Sequence, residues 1–466
     1  MSDSNPEIRL AFDEGTLVLL DVEDDFEPPG PFVWDSRVGR WRALAHRYRE
    51  IVETLQAREV DIRNIVPRYN RLRLDLRSQH PPHPHQAEAL QAWRAGGRRG
   101  VVVLPTGSGK SHLALMALAD VARSTLIVAP TIDLMNQWYD LLTDAFGREV
   151  GILGGGYHEI DDLTVTTYDS AYMHMDRYGN RFGMLIFDEI HHLPGQVYSH
   201  SAEMAIAPYR LGLTATLERP DGRHLLLSGL VGPTVYEKGI RELSGDYLSE
   251  YGTERIQVDM VAEERGHYEA ARAEFTKFLD SKNLKLGTKN GWRNFVRLSA
   301  RSSAGRRAML AYRRYRKLAL GTTAKLRVLE DLLKRHPRDR ILIFTNDNET
   351  VYTISEAFLI PAITHQTRTR ERRDTLQAFN RGDVLALVTS RVLNEGVNVP
   401  EANVAIVLSG TGSIREHVQR LGRILRRRKG KQAVLYEVIS KNTVEDTISK
   451  RRRRHDAYDG AQKGWF

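Results

Sequence analysis

Val101-Val102-Val103-Leu104-Pro105-Thr106-Gly107-Ser108-Gly109-Lys110-Ser111 is the stretch that decides the fold of this chain. Four apolar residues read as a buried strand, a glycine-rich loop follows, and a helical pattern from His112 to Ala122 comes directly behind it. Lacking Cβ atoms, Gly107 and Gly109 let the backbone N–H groups of Thr106-Gly107-Ser108-Gly109, which follow Pro105, curl around phosphate oxygens, and the helix N-terminus adds partial positive charge. Lys110 is placed to reach the β- and γ-phosphates of a nucleotide, and Ser111 to ligate Mg²⁺. The strict phosphate-loop pattern asks for glycine at position 104, where this chain has Leu104.

Working outward, further apolar runs recur at Leu126–Ala129, Thr164–Thr167, Met184–Phe187 and Leu211–Leu213, with helical patterns such as Leu134–Thr143 between them. Fully apolar strands alternating with helices predict a parallel sheet covered on both faces. One of these runs closes on Ile186-Phe187-Asp188-Glu189-Ile190-His191-His192, at the strand end where open α/β sheets bind ligands. Asp188 there is suited to holding Mg²⁺ and Glu189 to orienting or deprotonating a water. His191 reads as a polar coupling residue beside the carboxylates rather than a zinc ligand, since no cysteine accompanies it. A second α/β rhythm runs through Ile341–Thr345, Ala362–Thr364, Leu385–Thr389, Val404–Leu408 and Val434–Ile439. It carries Gln419-Arg420-Leu421-Gly422-Arg423-Ile424-Leu425-Arg426, in which Arg423 and Arg426 share a helix face and suit arginine fingers reaching a γ-phosphate.

The expected organisation is therefore an α+β module over 1–75, an α/β lobe over 76–245, a helical, strand-free segment over 246–320, a second α/β lobe over 321–440 and a basic tail over 441–466. In the first module, apolar runs at Ile8–Phe12 and Thr16–Val22 read as strands and Trp41 to Gln56 as helix, with Trp34 and Trp41 expected in its core. The chain has 466 residues, 41% hydrophobic and 27% charged, which excludes wholesale disorder. It has no cysteine, which excludes a disulfide scaffold and a thiol nucleophile. Lys plus Arg number 68 against 59 acidic residues, and the +9 balance favours phosphate-rich partners. No apolar run approaches the ~20 residues of a membrane helix, and no secretory leader is visible, so the expectation is a soluble intracellular protein with no membrane partner.

The order of the motifs resembles that of the superfamily 2 helicases. They run Gln86, the phosphate loop, Ala129-Pro130-Thr131, Thr166-Thr167-Tyr168-Asp169-Ser170, Asp188–His191, Thr214-Ala215-Thr216, Phe344-Thr345-Asn346, Leu393–Pro400 and Gln419–Arg426. Within that superfamily the chain is most similar to the XPB helicases in their short microbial form, through Arg42–Arg49, Asp188–Pro194, Ala207–Thr214 and Leu359–His365. The resemblance implies an α/β fold of two RecA-like parallel-sheet lobes, a small N-terminal α+β damage-recognition-like domain and a helical thumb-like insertion. It implies ATP and Mg²⁺ as cofactors, 3′–5′ work on DNA in nucleotide excision repair, and a structure-specific nuclease as a possible partner. Under it, Gln86 reads adenine, Gln419 joins Arg423 and Arg426 at the γ-phosphate, and Thr131, Thr167, Thr345 and Thr389 lie near a DNA strand. Thr214 and Thr216 couple the nucleotide to the DNA track, with Gly396, Arg219 and Asp221 in the same DNA-binding and coupling set.

Two departures stand out. The family's Asp-Glu-Gly-Ile-Asp-Val-Pro is here Asn394-Glu395-Gly396-Val397-Asn398-Val399-Pro400, and its Arg-Glu-Asp is Arg219-Pro220-Asp221. The second removes a carboxylate from a loop the family uses in strand separation, which implies weak unwinding of long duplexes. The tract 292–317, with Arg313, Arg314 and interleaved aromatics, suits phosphate contact with base stacking and equally suits a helical surface over apolar stems. A restriction or defence motor, an RNA helicase and an ATP-switched DNA-binding repair scaffold are the competing readings.

Overall fold

The computed structural model describes residues 8–23, 26–77, 81–219, 221–243, 251–288, 290–390, 402–409 and 433–452. The chain divides into two compact units, the first built from residues up to Glu242 and the second essentially from Leu243 onward.

The first unit opens with a small sheet in the order β3-β4-β2-β1-β5 (β1 Arg9–Asp13, β2 Thr16–Leu20, β3 Val33–Asp35, β4 Arg40–Leu44, β5 Arg63–Asn64), backed by α1 (Tyr48–Ala57). The helix expected from Trp41 begins only at Tyr48. A tight turn explains this: Asp35 accepts from the Arg37 backbone and guanidinium, Gly39 takes φ +61°, and the hairpin pairs Trp34 with Trp41 across the strands. The rings meet edge to face at 5.4 Å. Trp34 is 51% exposed, so the pair lies at the margin of the apolar cluster and not inside it, contrary to expectation.

This module sits on the lobe that follows. Ile206 of the lobe is buried in the module's own cluster, Arg49 donates to Gly97 O at 2.9 Å, and Asn180 Nδ2 donates to Val66 O at 3.0 Å. The connecting stretch is then laced to the lobe, with Leu72 N donating to Ala122 O and Arg77 N to Ala145 O, both at 2.9 Å.

The lobe itself is an eight-stranded sheet in the order β13-β6-β12-β11-β7-β10-β8-β9 (β6 Arg99–Val103, β7 Thr125–Ala129, β8 Gly151–Gly154, β9 Tyr157–His158, β10 Leu163–Thr167, β11 Met184–Asp188, β12 Tyr209–Thr214, β13 Thr234–Glu237). All its pairings are parallel except β8 with β9. Every residue of β7, β10 and β11 is buried, the pattern of strands covered on both faces. The flanking helices are α2 (Pro84–Ala95), α3 (Lys110–Val121), α4 (Ile132–Phe146), α5 (Tyr168–Tyr178), α6 (Ser199–Glu203) and α7 (Leu227–Leu230), with α8 (Ile240–Leu243) following β13. At the back of the sheet, fully buried Arg210 has no carboxylate among its hydrogen-bond partners. Its guanidinium donates to Ala202 O and Ala207 O at 3.0 Å, Ala205 O at 2.6 Å and Leu230 O, carbonyls around the C-terminal ends of α6 and α7.

The second unit is a parallel sheet in the order β14-β19-β18-β15-β17-β16 (β14 Tyr251–Val258, β15 Ile341–Phe344, β16 Ala362–Ile363, β17 Ala386–Thr389, β18 Val404–Val407, β19 Ala433–Ser440). Between β14 and β15 lie α9 (Ala262–Ser281), α10 (Gly291–Ser299), α11 (Ser303–Leu320) and α12 (Thr323–Arg335). Then come α13 (Asn348–Phe358) and α14 (Thr369–Arg381). Strand β14 corrects the strand-free reading of 246–320. It is an edge strand in which Glu254 and Gln257 are exposed and polar residues interrupt the apolar ones, so no apolar run announces it. The expected tail also contains structure, since Val444–Arg452 is helical and buried Glu445 pairs with Lys325 at 2.6 Å.

Candidate nucleotide and nucleic-acid sites

The phosphate loop leaves β6 and enters α3 in the predicted conformation. Gly107 and Gly109 take φ +88° and +84°, and a Cβ at Gly109 would stand 2.2 Å from Gln86 Nε2, so glycine is required there. Leu104 instead serves packing. It is fully buried and its N–H donates to Thr214 O at 2.9 Å, continuing the β6–β12 pairing. Ser108 Oγ closes the loop on Pro105 O at 2.7 Å, Thr106 is half-buried and Ser111 is exposed.

Gln86 holds this loop. It sits in the first turn of α2, accepts from His83 N at 2.9 Å, and donates to Ser108 O and Gly109 O at 3.2 and 3.1 Å. Neighbouring His85 also reaches Ser108 O, at 2.8 Å.

Lys110 Nζ lies against Leu104 O and Pro105 O at 3.0 and 3.2 Å. Burial lowers its pKa, and the charges of Glu189 and Asp188 work the other way. Asp188 ends β11 beneath it. Burial and then the Glu189 charge push its carboxyl up to about 6, against hydrogen bonds from Trp138 Nε1 (2.9 Å) and Glu189 N (3.0 Å). Lys110, Asp188 and Glu189 thus share one electrostatic environment at the C-terminal ends of β6 and β11.

Glu189 takes a left-handed φ of +47°, which turns the chain sharply beyond the strand. His191 is fully buried and bridges: its Nδ1 is 3.1 Å from Thr214 Oγ1 and 3.4 Å from Glu189 Oε2. Thr214 Oγ1 in turn donates to Thr216 O at 2.9 Å and receives Thr216 N at 3.2 Å. Arg219 grips Asp221 with two hydrogen bonds, of 2.9 and 2.6 Å, and donates to His191 O at 2.6 Å. The Arg219 guanidinium holds Asp221 well below the usual carboxylate range. The segment after Glu189, the Thr214–Thr216 turn and the Arg219–Asp221 loop are consequently one hydrogen-bonded assembly.

Thr131 and Thr167 cap α4 and α5, accepting from Leu134 N and Ser170 N at 3.3 and 3.2 Å. In the second unit, Thr345 N donates to Thr389 O at 2.9 Å, which places both threonines side by side at the ends of β15 and β17. Arg313 and Arg314 are exposed on α11. Their aromatic neighbours divide: Phe295 and Tyr315 are buried in the helical cluster with Phe275, while Trp292 is 44% exposed. Core building therefore accounts for most of the interleaving. Gln419, Arg423, Arg426, Gly396, Asn394, Asn398 and Pro220 lie outside the described residues.

Among the described residues no cluster of three or more His, Cys, Asp or Glu could hold a metal. The site supplies one buried carboxylate and one hydroxyl, Asp188 and Ser111. Those hard oxygen donors fit Mg²⁺ completed by substrate phosphate and water. Trp138 is not singled out in the sequence, and Tyr168 stands in the Thr166–Ser170 motif without a role. Trp138 reads only as one apolar position of α4, and Tyr168, which donates to Asp188 O at 2.9 Å, reads as an apolar position of α5.

A phosphate loop and an acidic strand end on one parallel sheet, followed by a second parallel-sheet unit, define a superfamily 2 nucleic-acid motor. The comparisons with known proteins agree. The family described as type III restriction enzyme, res subunit, matches residues 79–219, the helicase conserved C-terminal domain matches 324–428, and the xeroderma pigmentosum group B helicase damage recognition domain matches 10–66. The DNA 3′-5′ translocase XPB2 of Sulfurisphaera tokodaii is 40% identical over 93% of this chain and 98% of its own. The DNA 3′-5′ helicase XPB of Mycobacterium tuberculosis is 31% identical over 81% of this chain and 64% of its own. The Pyrococcus furiosus Hef helicase domain shares the fold at a TM-score of 0.50 and 18% identity, over 79% of this chain and 97% of that one. The chain belongs to the XPB family, and it is a superfamily 2 DNA helicase and ATPase with RecA-like parallel-sheet lobes. No helix of the described residues is long and apolar enough to cross a membrane.

Proposed function

We propose that the chain uses ATP with Mg²⁺ to travel 3′–5′ along DNA and remodel it during nucleotide excision repair, in the cytoplasm at a prokaryotic nucleoid. The observation that carries this is the parallel order β6-β12-β11, which brings the phosphate loop of Lys110 and the Asp188-Glu189 strand end to the same ligand-binding edge of the sheet. Lys110 neutralises phosphate charge, and Glu189 takes the proton of the attacking water. Asp188 and Ser111 would hold Mg²⁺, which supplies further charge neutralisation on the phosphates. Gln86 sets the loop and the adenine end, and γ-phosphate contact is the role that the family resemblance implies for Gln419, Arg423 and Arg426. The assembly Glu189–His191–Thr214–Arg219 is the route by which hydrolysis reaches the DNA side, where Thr131, Thr167, Thr216, Asp221, Thr345, Thr389, Gly396, Arg313 and Arg314 act. The direction is that of the similar translocase and helicase, and the repair role is suggested by the match to the damage recognition domain over 10–66. A structure-specific nuclease is the proposed partner.

The test is steady-state ATP hydrolysis with forked DNA, duplex, single strands, RNA or no nucleic acid. Forked DNA should raise turnover well above RNA. Equal stimulation by RNA would favour an RNA helicase, and single-turnover behaviour would favour a switched scaffold.

A further inference from the structure

Asp188 is gripped from two directions by aromatic donors, Trp138 outside every motif and Tyr168 inside the Thr166–Ser170 motif but without a role assigned to it there. Trp138, 2% exposed on α4, donates its Nε1–H to Oδ2 at 2.9 Å. Tyr168, 2% exposed in the first turn of α5, donates its hydroxyl to the Asp188 backbone oxygen at 2.9 Å. The other carboxylate oxygen accepts from Glu189 N at 3.0 Å, so the carboxylate plane is fixed by hydrogen bonds to both oxygens while lone pairs remain on each. The indole is donor-only and wedged in the core, so it cannot rotate to offer an acceptor. Packing alone would not demand this arrangement. A phenylalanine would fill much the same apolar space, but it would leave a buried carboxylate oxygen short of a partner.

We propose that Trp138 and Tyr168 are positioning residues for nucleotide hydrolysis, which lock Asp188 in the orientation that receives Mg²⁺-nucleotide. Preorganisation of this kind raises affinity by removing the cost of ordering the carboxylate when ligand arrives. The two donors ride on the helices capped by Thr131 and Thr167, so each of those helices has a direct hold on the residue beneath the phosphate loop. The proposal rests on the reading of Asp188 as a Mg²⁺-holding residue.

The experiment measures binding of N-methylanthraniloyl-ADP to the full chain, in Mg²⁺ and in EDTA. The parent should bind more tightly in Mg²⁺. Trp138→Phe should lose roughly ten-fold of that Mg²⁺-dependent gain, with its affinity in EDTA unchanged. Tyr168→Phe, which deletes a single oxygen, should lose about three-fold in the same selective way. Equal losses in both media would show general damage to the pocket and overturn the proposal, as would no loss at all. If Trp138→Phe gives no folded protein by circular dichroism, Tyr168→Phe decides by the same criterion. A parent whose affinity ignores Mg²⁺ would overturn the underlying reading of Asp188, a result distinguishable because it appears before any substitution is made.

Discussion

Under the proposed mechanism, Lys110 serves binding and Glu189 serves chemistry. Glu189 turns away from its strand in a left-handed conformation and is tied to His191 and Thr214, whereas Lys110 lies in the phosphate loop itself. Glu189→Gln keeps the size and loses the proposed base. Turnover should fall by about 10²–10⁴ while ATP is still retained. Lys110→Ala should weaken nucleotide binding itself, since the loop's buried cation is gone. Filter binding of labelled ATP beside a phosphate-release assay distinguishes the two. At this scale the sequence was most readable where chemistry demands a particular residue in a particular loop, as at Gly109, whose missing Cβ makes room for Gln86. It was silent on the bonds of Trp138 and Tyr168 to Asp188, because an aromatic on an apolar helix face carries no mark of the oxygen it will meet. It misplaced Trp34, whose exposure depends on where the sheet ends, a property of neighbours rather than of the residue.

The elements of the second unit are joined by polar contacts that strand and helix patterns do not reveal. Lys325 on α12 is buried with Glu445 of the C-terminal helix and also donates to Leu320 O and Leu408 O. Lys325→Ala would strand the Glu445 carboxylate in the core. Removing one member of a buried pair costs about 3–5 kcal/mol, so the urea midpoint should drop sharply. On α11 the same chemistry points outward. Arg306, Arg313 and Arg314 are exposed, while Arg316 is occupied with the Tyr312 hydroxyl at 2.7 Å. Changing the first three to Gln should lower DNA affinity for all sequences alike and flatten its salt dependence, by about one unit of slope per lost phosphate contact. Unaltered slope in fluorescence anisotropy titrations would return α11 to a solvated surface. Strand β14 shows why part of this unit was illegible: an edge strand needs no apolar run, and only its pairing with β19 reveals it.

For the molecule as a whole, acid should loosen the seat between the N-terminal module and the first lobe. Burial, then the charge of Arg210, pushes His46 down to about 4 from an ordinary 6.5. The unfolded chain therefore binds a proton that the folded chain refuses. Stability is fully present above about pH 6.5 and is lost as pH falls towards 4, by ~2–3 kcal/mol at the limit. His46→Gln should lose less stability than the parent between pH 7.5 and pH 5, read from urea midpoints at both values. The overall plan of two α/β lobes, an N-terminal module and a helical insertion was legible because parallel strands are buried on both faces and write themselves as apolar runs.

The guanidinium of Arg210 has one more consequence, for the order in which the first lobe can come apart. Its carbonyl partners belong to segments as far apart in the chain as Ala202 and Leu230. Releasing any one of these segments alone would leave a desolvated cation short of acceptors, so their openings are tied together. In hydrogen exchange the amides of α6, α7 and the start of β12 should behave as one cooperative block, opening late and together. The end of the sheet opposite the phosphate loop is thereby pinned by a single side chain.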